Sequence, residues 1–160
     1  MSESAPAGFP VYASGKTDAT RAVIVIQEAF GVNDHIRSVA DRFADEGYLA
    51  VAPHLFHRDG SPEIPYDDFS AAMPFMASLT KQGLTNDLNA TTDFLATLGF
   101  RAPNIAAVGF CMGGTVSFFA ATLGTVGAAA SFYGGGVTTG RFGLAPLVEL
   151  AAELRCPWLG

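Results

Sequence analysis

Charged side chains are scarce in this sequence. Only 15% of its 160 residues are Asp, Glu, Lys or Arg, whereas such residues make up about a quarter of a typical globular domain. Apolar residues account for 49%, which argues against a disordered chain. The length suits one domain with its own core, or a fragment of a larger domain. We therefore expect one folded unit from which part of the surface that normally covers such a core is absent.

Basic residues are rarer than acidic ones. The sequence contains nine Lys and Arg residues and fifteen Asp and Glu residues, so its net charge at pH 7 is −6. A phosphate backbone would be repelled, and no basic cluster favours an anionic membrane surface. Nucleic acid and membranes are therefore not expected partners. The first ten residues, MSESAPAGFP, lack the basic start and apolar core of a signal peptide, so we expect a cytoplasmic protein.

Two cysteines are too few for a disulfide framework. Cys156 has no metal-ligand spacing around it and is interpreted as a core thiol, and no metal or other cofactor is expected. No charged residue lies between Arg101 and Arg141, a stretch long enough to cross a bilayer. Pro103 and several glycines divide this stretch into pieces of strand or short-helix length. Buried parallel strands are therefore favoured over a membrane span.

Apolar runs of strand length alternate with helical patterns along the chain. Strands are predicted at residues 23–26, 48–56, 104–110 and 127–134, with the entry to a further strand at 156–160. Helices are predicted at residues 33–47, 69–82, 84–99, 113–124 and 144–155, and a polar loop at 57–68. Asn33 or Asp34 is suited to cap the first helix. This alternation predicts an α/β fold with a mostly parallel sheet flanked by helices.

Residues 106–115, AAVGFCMGGT, hold a cysteine in a frame of glycines. Gly109 and Gly113 stand two places before and two places after Cys111, with a predicted strand before the pattern and a predicted helix after it. In a nucleophile elbow of this kind the turn is strained, and side chains at the two glycine positions would block it. Backbone N–H groups at a helix N-terminus stabilise a thiolate. The pattern favours a nucleophile over a packed core thiol.

Two stretches make the sequence similar to the dienelactone hydrolase family, within the α/β-hydrolase fold. They are VIVIQEAFGVNDHIRSVADRFADEGYLAVAPHLF, residues 23–56, and VGFCMGGTVSFFAA, residues 108–121. The resemblance implies a hydrolase that cleaves a small-molecule ester or lactone through a thioester on Cys111. A non-catalytic ligand-binding or regulatory domain with the same fold is the alternative. Neither interpretation specifies an oligomeric state.

The resemblance also implies roles for residues around the cysteine. Glu28 matches a glutamate that contacts the resting thiol, and the backbone N–H groups of Met112 and Ala29 match the family's oxyanion hole. The family's triad aspartate and histidine fall on no matching position before Gly160. We therefore expect residues 1–160 to be a single α/β-hydrolase domain that is incomplete at its C-terminus, without its last strands and helix.

The remaining polar residues are weaker candidates for catalysis or substrate binding. His57 is interpreted as a loop histidine, because nothing in the sequence places it against the cysteine. The family resemblance implies an arginine in the middle segment in members that bind a substrate carboxylate. Residues 61–80 contain neither Arg nor Lys, so a carboxylate on the substrate is not predicted.

Overall fold

The computed structural model describes residues 9–160 and contains a six-stranded sheet. The strands are β1 (Val11–Ser14), β2 (Ala22–Ile26), β3 (Leu49–Pro53), β4 (Ile105–Phe110), β5 (Ala128–Phe132) and β6 (Trp158–Leu159). The α-helices are α1 (Asp34–Asp45), α2 (Phe69–Ser78), α3 (Lys81–Thr97), α4 (Met112–Leu123) and α5 (Leu147–Leu150). Single turns of 3-10 helix occur at His57–Asp59, Ala102–Asn104 and Ala151–Glu153.

The strand order is β1-β3-β2-β4-β5-β6, so β2 and β4 lie side by side in the middle of the sheet. Strand β1 pairs with β3 in the antiparallel direction, and all other pairings between these strands are parallel. The predicted α/β fold with a mostly parallel sheet is confirmed. The antiparallel edge strand β1 was not predicted, because four residues are too few to show a clear alternation.

Alternate residues of each central strand face opposite sides of the sheet. In β2, Ile24 and Ile26 pack into the larger core, which also contains buried residues of α3 and α4. Val23 and Val25 pack on the other side, in a smaller core with the buried face of α1. All five residues of β2 are buried. This explains why the strand reads as a continuous apolar run rather than as an alternating one.

Most predicted elements are observed, with changes at their ends. Helix α1 begins after Asn33, whose side-chain oxygen accepts a hydrogen bond from the Ile36 N–H at 3.2 Å. The predicted helix over residues 69–82 ends at Ser78. Leu79 is extended, and Thr80 caps the next helix by accepting the Gly83 N–H at 3.0 Å. A new helix therefore begins at Lys81, three residues earlier than predicted.

The predicted helix over residues 144–155 is wrong in its length. Only Leu147–Leu150 is α-helical, followed by one 3-10 turn at Ala151–Glu153. The next residue, Leu154, leaves the helical conformation, with ψ at 131°. Beyond it, Arg155 donates its backbone N–H to the Ala121 carbonyl at 2.9 Å. This tertiary contact with α4 draws the chain out of the helix and leads it into β6.

None of the helices in residues 9–160 combines the length and apolar character that crossing a membrane requires. The uncharged stretch between Arg101 and Arg141 instead forms β4, α4 and β5 together with the loops between them. The expectation that residues 1–10 contain no signal peptide falls largely outside the described part of the chain.

A buried carboxylate fixes the segment after β3 to α3. Asp87 in α3 is 2% exposed and accepts two hydrogen bonds from the Arg58 guanidinium, at 2.9 and 2.6 Å. The His57 Nε2 atom lies 3.2 Å from the same carboxylate, and the His57 ring meets Phe9 edge-on. These hydrogen bonds raise the pKa of Arg58. The contacts place His57 in a structural cluster.

We expect Asp87→Ala to lower the free energy of unfolding by about 1–3 kcal/mol. The substitution removes three polar contacts, but Arg58 is partly exposed and can recover solvation, so the loss is smaller than for a fully buried pair. Denaturant titration followed by circular dichroism measures the change. The matched control is Asp93→Ala, at an exposed position of the same helix, which should change stability by less than about 0.5 kcal/mol. Equal effects of the two substitutions would contradict this account.

Candidate active site

Cys111 lies between β4 and α4, in a strained backbone conformation. Its φ is 54° and its ψ is −118°, a combination that residues other than glycine rarely adopt. The backbone N–H of Cys111 donates to the Phe132 carbonyl at 3.0 Å, and its carbonyl accepts the Gly114 N–H at 2.9 Å. The turn is thus tied both to β5 and to the first turn of α4. The thiol itself is only partly buried.

The glycines on either side of Cys111 are in close backbone contact. A Cβ atom added to Gly109 would lie 1.9 Å from the Gly113 carbonyl oxygen. A Cβ atom added to Gly113 would lie 2.4 Å from the Ile26 carbonyl oxygen and 2.5 Å from that of Gln27. Any side chain at these positions would therefore force the backbone apart. The elbow rests directly on the end of β2.

The two proposed oxyanion donors follow the carboxyl ends of neighbouring parallel strands. Met112 is the first residue of α4, so its N–H has no acceptor within its own helix. Ala29 is fully buried in a tight turn after β2, which the bridge between Glu28 and Gly31 closes. The loop at residues 62–64 covers this turn, because the Ile64 N–H donates to the Phe30 carbonyl at 3.0 Å.

The Glu28 carboxylate is held between two tyrosines. The Tyr66 hydroxyl donates to Oε2 at 2.7 Å, and the Tyr133 hydroxyl donates to Oε1 at 3.2 Å. Glu28 is 9% exposed, so these donors compensate much of the water that the carboxylate loses. Among the described residues, the hydrogen bonds to this carboxylate come from the tyrosines and not from the Cys111 thiol.

Burial and nearby charges raise the pKa values of both tyrosines. Burial, followed by the hydrogen bond to Glu28, raises the pKa of Tyr66 to about 12. The pKa of Tyr133 is raised first by burial, then by the charge of Glu28 and the hydrogen bond to it, and finally by the charge of Cys111. Glu28 and Cys111 therefore act on the same phenol. The structure brings Cys111, Glu28, Tyr66 and Tyr133 into one cluster at the carboxyl edge of the sheet.

The three histidines have different surroundings. His57 faces Asp87 and Phe9, as described above. His54 follows β3 and is 7% exposed. His35 is in the first turn of α1, and its ring meets Tyr66 edge-on, with 6.4 Å between the ring centroids. The ring of His35 thus contacts the Glu28–tyrosine cluster.

An apolar cavity of about 340 Å³ opens beside Tyr133. Its walls include Phe118, Val137, Leu147 and Trp158. A space of this volume suits a small organic molecule. Within residues 9–160, no three His, Cys, Asp or Glu side chains come together in a way that could hold a metal ion.

Sequence reasoning missed three residues of this region. Tyr66 was assigned to a polar loop, and Tyr133 to the end of a strand. Gln27, which is fully buried, was read only as part of the family motif. The carboxyl-edge rule for parallel sheets could have identified Tyr133, because this residue directly follows β5, the neighbour of the strand that leads to Cys111. A polar residue that interrupts an apolar strand end could have identified Gln27.

Comparison with known proteins gives a consistent result. The dienelactone hydrolase family model matches residues 9–159. A Synechocystis protein named "Putative carboxymethylenebutenolidase" is 40% identical over 119 residues, which cover 72% of this chain and 48% of that protein. An Escherichia coli K12 protein of the same name is 35% identical over 142 residues, covering 86% of this chain and 52% of its own length.

Solved structures agree with the sequence comparison. A crystal structure of a Klebsiella pneumoniae protein described as a "Putative Dienelactone Hydrolase" superposes with a TM-score of 0.78 and 32% identity, covering 95% of this chain and 65% of that one. The chain spans about half the length of the curated relatives it matches. The elbow, the sheet order and the match over residues 9–159 lead to one assignment. The chain belongs to the dienelactone hydrolase family.

Proposed function

We propose that the whole protein hydrolyses small esters or lactones, and that Cys111 is the nucleophile. The observation that carries this proposal is the strained position of Cys111 in a strand-to-helix turn, beside a buried glutamate that two tyrosines hold. Strain of this kind is found where function requires it. The enzyme name that the curated relatives carry supports the same reaction class.

In the first half of the reaction the Cys111 thiolate attacks the ester carbonyl carbon. A carbon–sulfur bond forms, and the carbonyl electron pair moves to the oxygen, which the N–H groups of Met112 and Ala29 stabilise. The intermediate then collapses. The carbon–oxygen bond to the alcohol breaks, and the alcohol leaves with the proton that the thiol gave up, which the base that we propose for the whole protein carries from sulfur to oxygen. The product of this half-reaction is a thioester on Cys111.

In the second half water attacks the thioester. The carbon–sulfur bond breaks, the acid is released and the thiol is restored. This step needs a base for the attacking water. His57 is engaged by Asp87 and does not suit this role. We assign carbonyl attack and oxyanion stabilisation to the described residues. Because the chain spans about half the length of its curated relatives, we propose that the whole protein carries the histidine that moves the proton in both halves of the reaction.

Glu28 has its proposed role in the ionisation of the Cys111 thiol. A negative charge close to a thiol opposes formation of the thiolate. Glu28 and Cys111 both lie near Tyr133, whose hydroxyl donates to Glu28. We propose that Glu28 influences the reactivity of the resting thiol, and that a substrate which disturbs the contacts of Glu28 with Tyr66 and Tyr133 changes this reactivity.

The cavity beside Tyr133 supports an apolar group on the substrate. Two unpaired cysteines, Cys111 and Cys156, fit a reducing compartment, and we propose a cytoplasmic location. A single sheet runs through residues 9–160. This supports the proposal that the chain is one α/β-hydrolase domain rather than two domains.

The first test is acylation of Cys111 by an activated ester. Incubation with p-nitrophenyl acetate should release one equivalent of nitrophenolate in a burst and leave an acetyl thioester on Cys111, which mass spectrometry detects. Cys156→Ala should keep the burst, because burial raises the pKa of the Cys156 thiol and makes it a poor competitor. Cys111→Ala should abolish it. An equal burst from Cys111→Ala would refute the proposed nucleophile.

Replacing Glu28 tests its effect on the thiol. Glu28→Gln should raise the rate of Cys111 alkylation by iodoacetamide at neutral pH by roughly threefold or more, because a nearby negative charge is lost. The free energy of unfolding should change little, since the glutamine oxygen can still accept from Tyr66. The control is Glu63→Gln, at a surface position paired with Arg37. A large loss of stability with unchanged reactivity would make Glu28 a structural residue instead.

The pKa of Tyr66 gives a pH-dependent test. In the unfolded chain this phenol ionises near 10, and in the folded chain at about 12. Between these values the folded state holds a proton that the unfolded state has lost, so stability should fall as pH rises from 10 to 12. Ultraviolet absorbance of the phenolate measures the titration. In Glu28→Gln the pKa should fall but stay above 10, because burial, its largest cause, remains. An unchanged pKa would rule out contact with the carboxylate.

A further inference from the structure

Gln27 is a fully buried polar residue at the end of β2. Its exposed fraction is 0%, and it directly follows a strand in which every residue is buried and apolar. The side-chain oxygen of Gln27 accepts the Leu55 N–H at 3.0 Å, and its Nε2 donates to the Glu28 carbonyl at 3.2 Å. One side chain therefore joins the segment after β3 to the peptide group that follows β2.

The second of these hydrogen bonds acts on one particular peptide group. The Glu28 carbonyl and the Ala29 N–H belong to the same planar unit, and no cis peptide bond occurs in residues 9–160. In a trans peptide the carbonyl and the N–H point in opposite directions. A donor that holds the carbonyl therefore also sets the direction of the N–H. The Gln27 amide fixes the direction of the Ala29 N–H in this way.

An amide is suited to this position because it offers both a donor and an acceptor. An apolar side chain of similar volume would leave the Leu55 N–H and the Glu28 carbonyl without this partner in a buried site. A carboxylate could accept from Leu55 but could not donate to Glu28. Glutamine, which is uncharged at neutral pH, satisfies both the Leu55 N–H and the Glu28 carbonyl.

We propose that Gln27 is a positioning residue for acyl transfer, which aims the Ala29 N–H at the oxygen that becomes negative in the reaction. The proposal rests on the proposed function, since it requires Cys111 to attack a carbonyl group. Gln27 itself touches neither the substrate nor the sulfur. It acts through the peptide between Glu28 and Ala29, which lies in the turn that the bridge from Glu28 to Gly31 closes.

Two reactions of the same thiol separate this role from a merely structural one. Acylation by p-nitrophenyl acetate places negative charge on a carbonyl oxygen, so it depends on the oxyanion donors. In alkylation by iodoacetamide, sulfur forms a bond to carbon and iodide leaves with the electron pair, so no oxyanion forms. The ratio of the acylation rate to the alkylation rate therefore measures the contribution of the oxyanion donors. It does not depend on the fraction of the thiol that is ionised.

We expect Gln27→Met to lower this ratio by about 10- to 100-fold, because one donor loses its direction while the elbow remains. The alkylation rate should stay within about twofold of the unsubstituted chain, since the thiol itself is untouched. The control is Gln82→Met, the same substitution at an exposed position of α3, which should leave both rates unchanged.

Gln27→Glu provides a second, internal test. When protonated, its carboxyl keeps one donor and one acceptor, and when ionised it loses the donor. The ratio should therefore be nearest to that of the unsubstituted chain at low pH and fall as pH rises. This variant also decides the question if Gln27→Met does not fold.

The outcomes are distinct. An unchanged ratio in Gln27→Met, or a pH-independent ratio in Gln27→Glu, overturns the positioning role while leaving Cys111 as the nucleophile. If the acylation rate and the alkylation rate fall by the same factor, Gln27 supports the fold and does not orient the Ala29 N–H. An unsubstituted chain that is alkylated but never acylated on Cys111 contradicts the proposed function itself.

Discussion

The close approach of Gly113 to the end of β2 is the contact on which the rest of the site depends. A single added carbon would lie 2.4–2.5 Å from the carbonyl oxygens of Ile26 and Gln27. Both partners are backbone, so no change of side-chain rotamer could relieve such a clash. The contact places the first turn of α4 directly against the turn after β2. Cys111 and Ala29 therefore lie at the same edge of the sheet, although 81 residues lie between them in the sequence.

Strained backbone conformations and a buried carboxylate both occur at that edge. Cys111 and Tyr133 have φ values of 54° and 44°, in a region that favours glycine. Glu28 is a buried carboxylate, which is costly unless donors replace the lost water. The hydroxyls of Tyr66 and Tyr133 are those donors, and their hydrogen bonds to Glu28 help to raise the pKa of both phenols. The carboxylate of Glu28 is thus stabilised by two phenol hydroxyls.

Sequence reasoning found the parts of the site that depend on local patterns. The spacing of Gly109, Cys111 and Gly113 gave the strand-to-helix turn, and the apolar runs gave the central strands. The contacts of Tyr66 and Tyr133 with Glu28 span 38 and 105 residues, and no local pattern encodes such distances. The short strand β1 and the early end of α5 were missed for a related reason, since pairing with β3 and contact with α4 determine them.

The proposed acyl-transfer residues follow the two strands at the centre of the sheet. Strands β2 and β4 pair in register over five residues, from Ala22 with Ile105 to Ile26 with Gly109, whereas β5 and β6 pair over two. The relative position of Cys111 and of the N–H groups of Met112 and Ala29 is therefore set by two adjacent, well-paired strands at the centre of the sheet. The proposed attack of Cys111 on a carbonyl group thus uses residues that follow the two central strands, whereas the proposed proton transfers need a base that we assign to the whole protein.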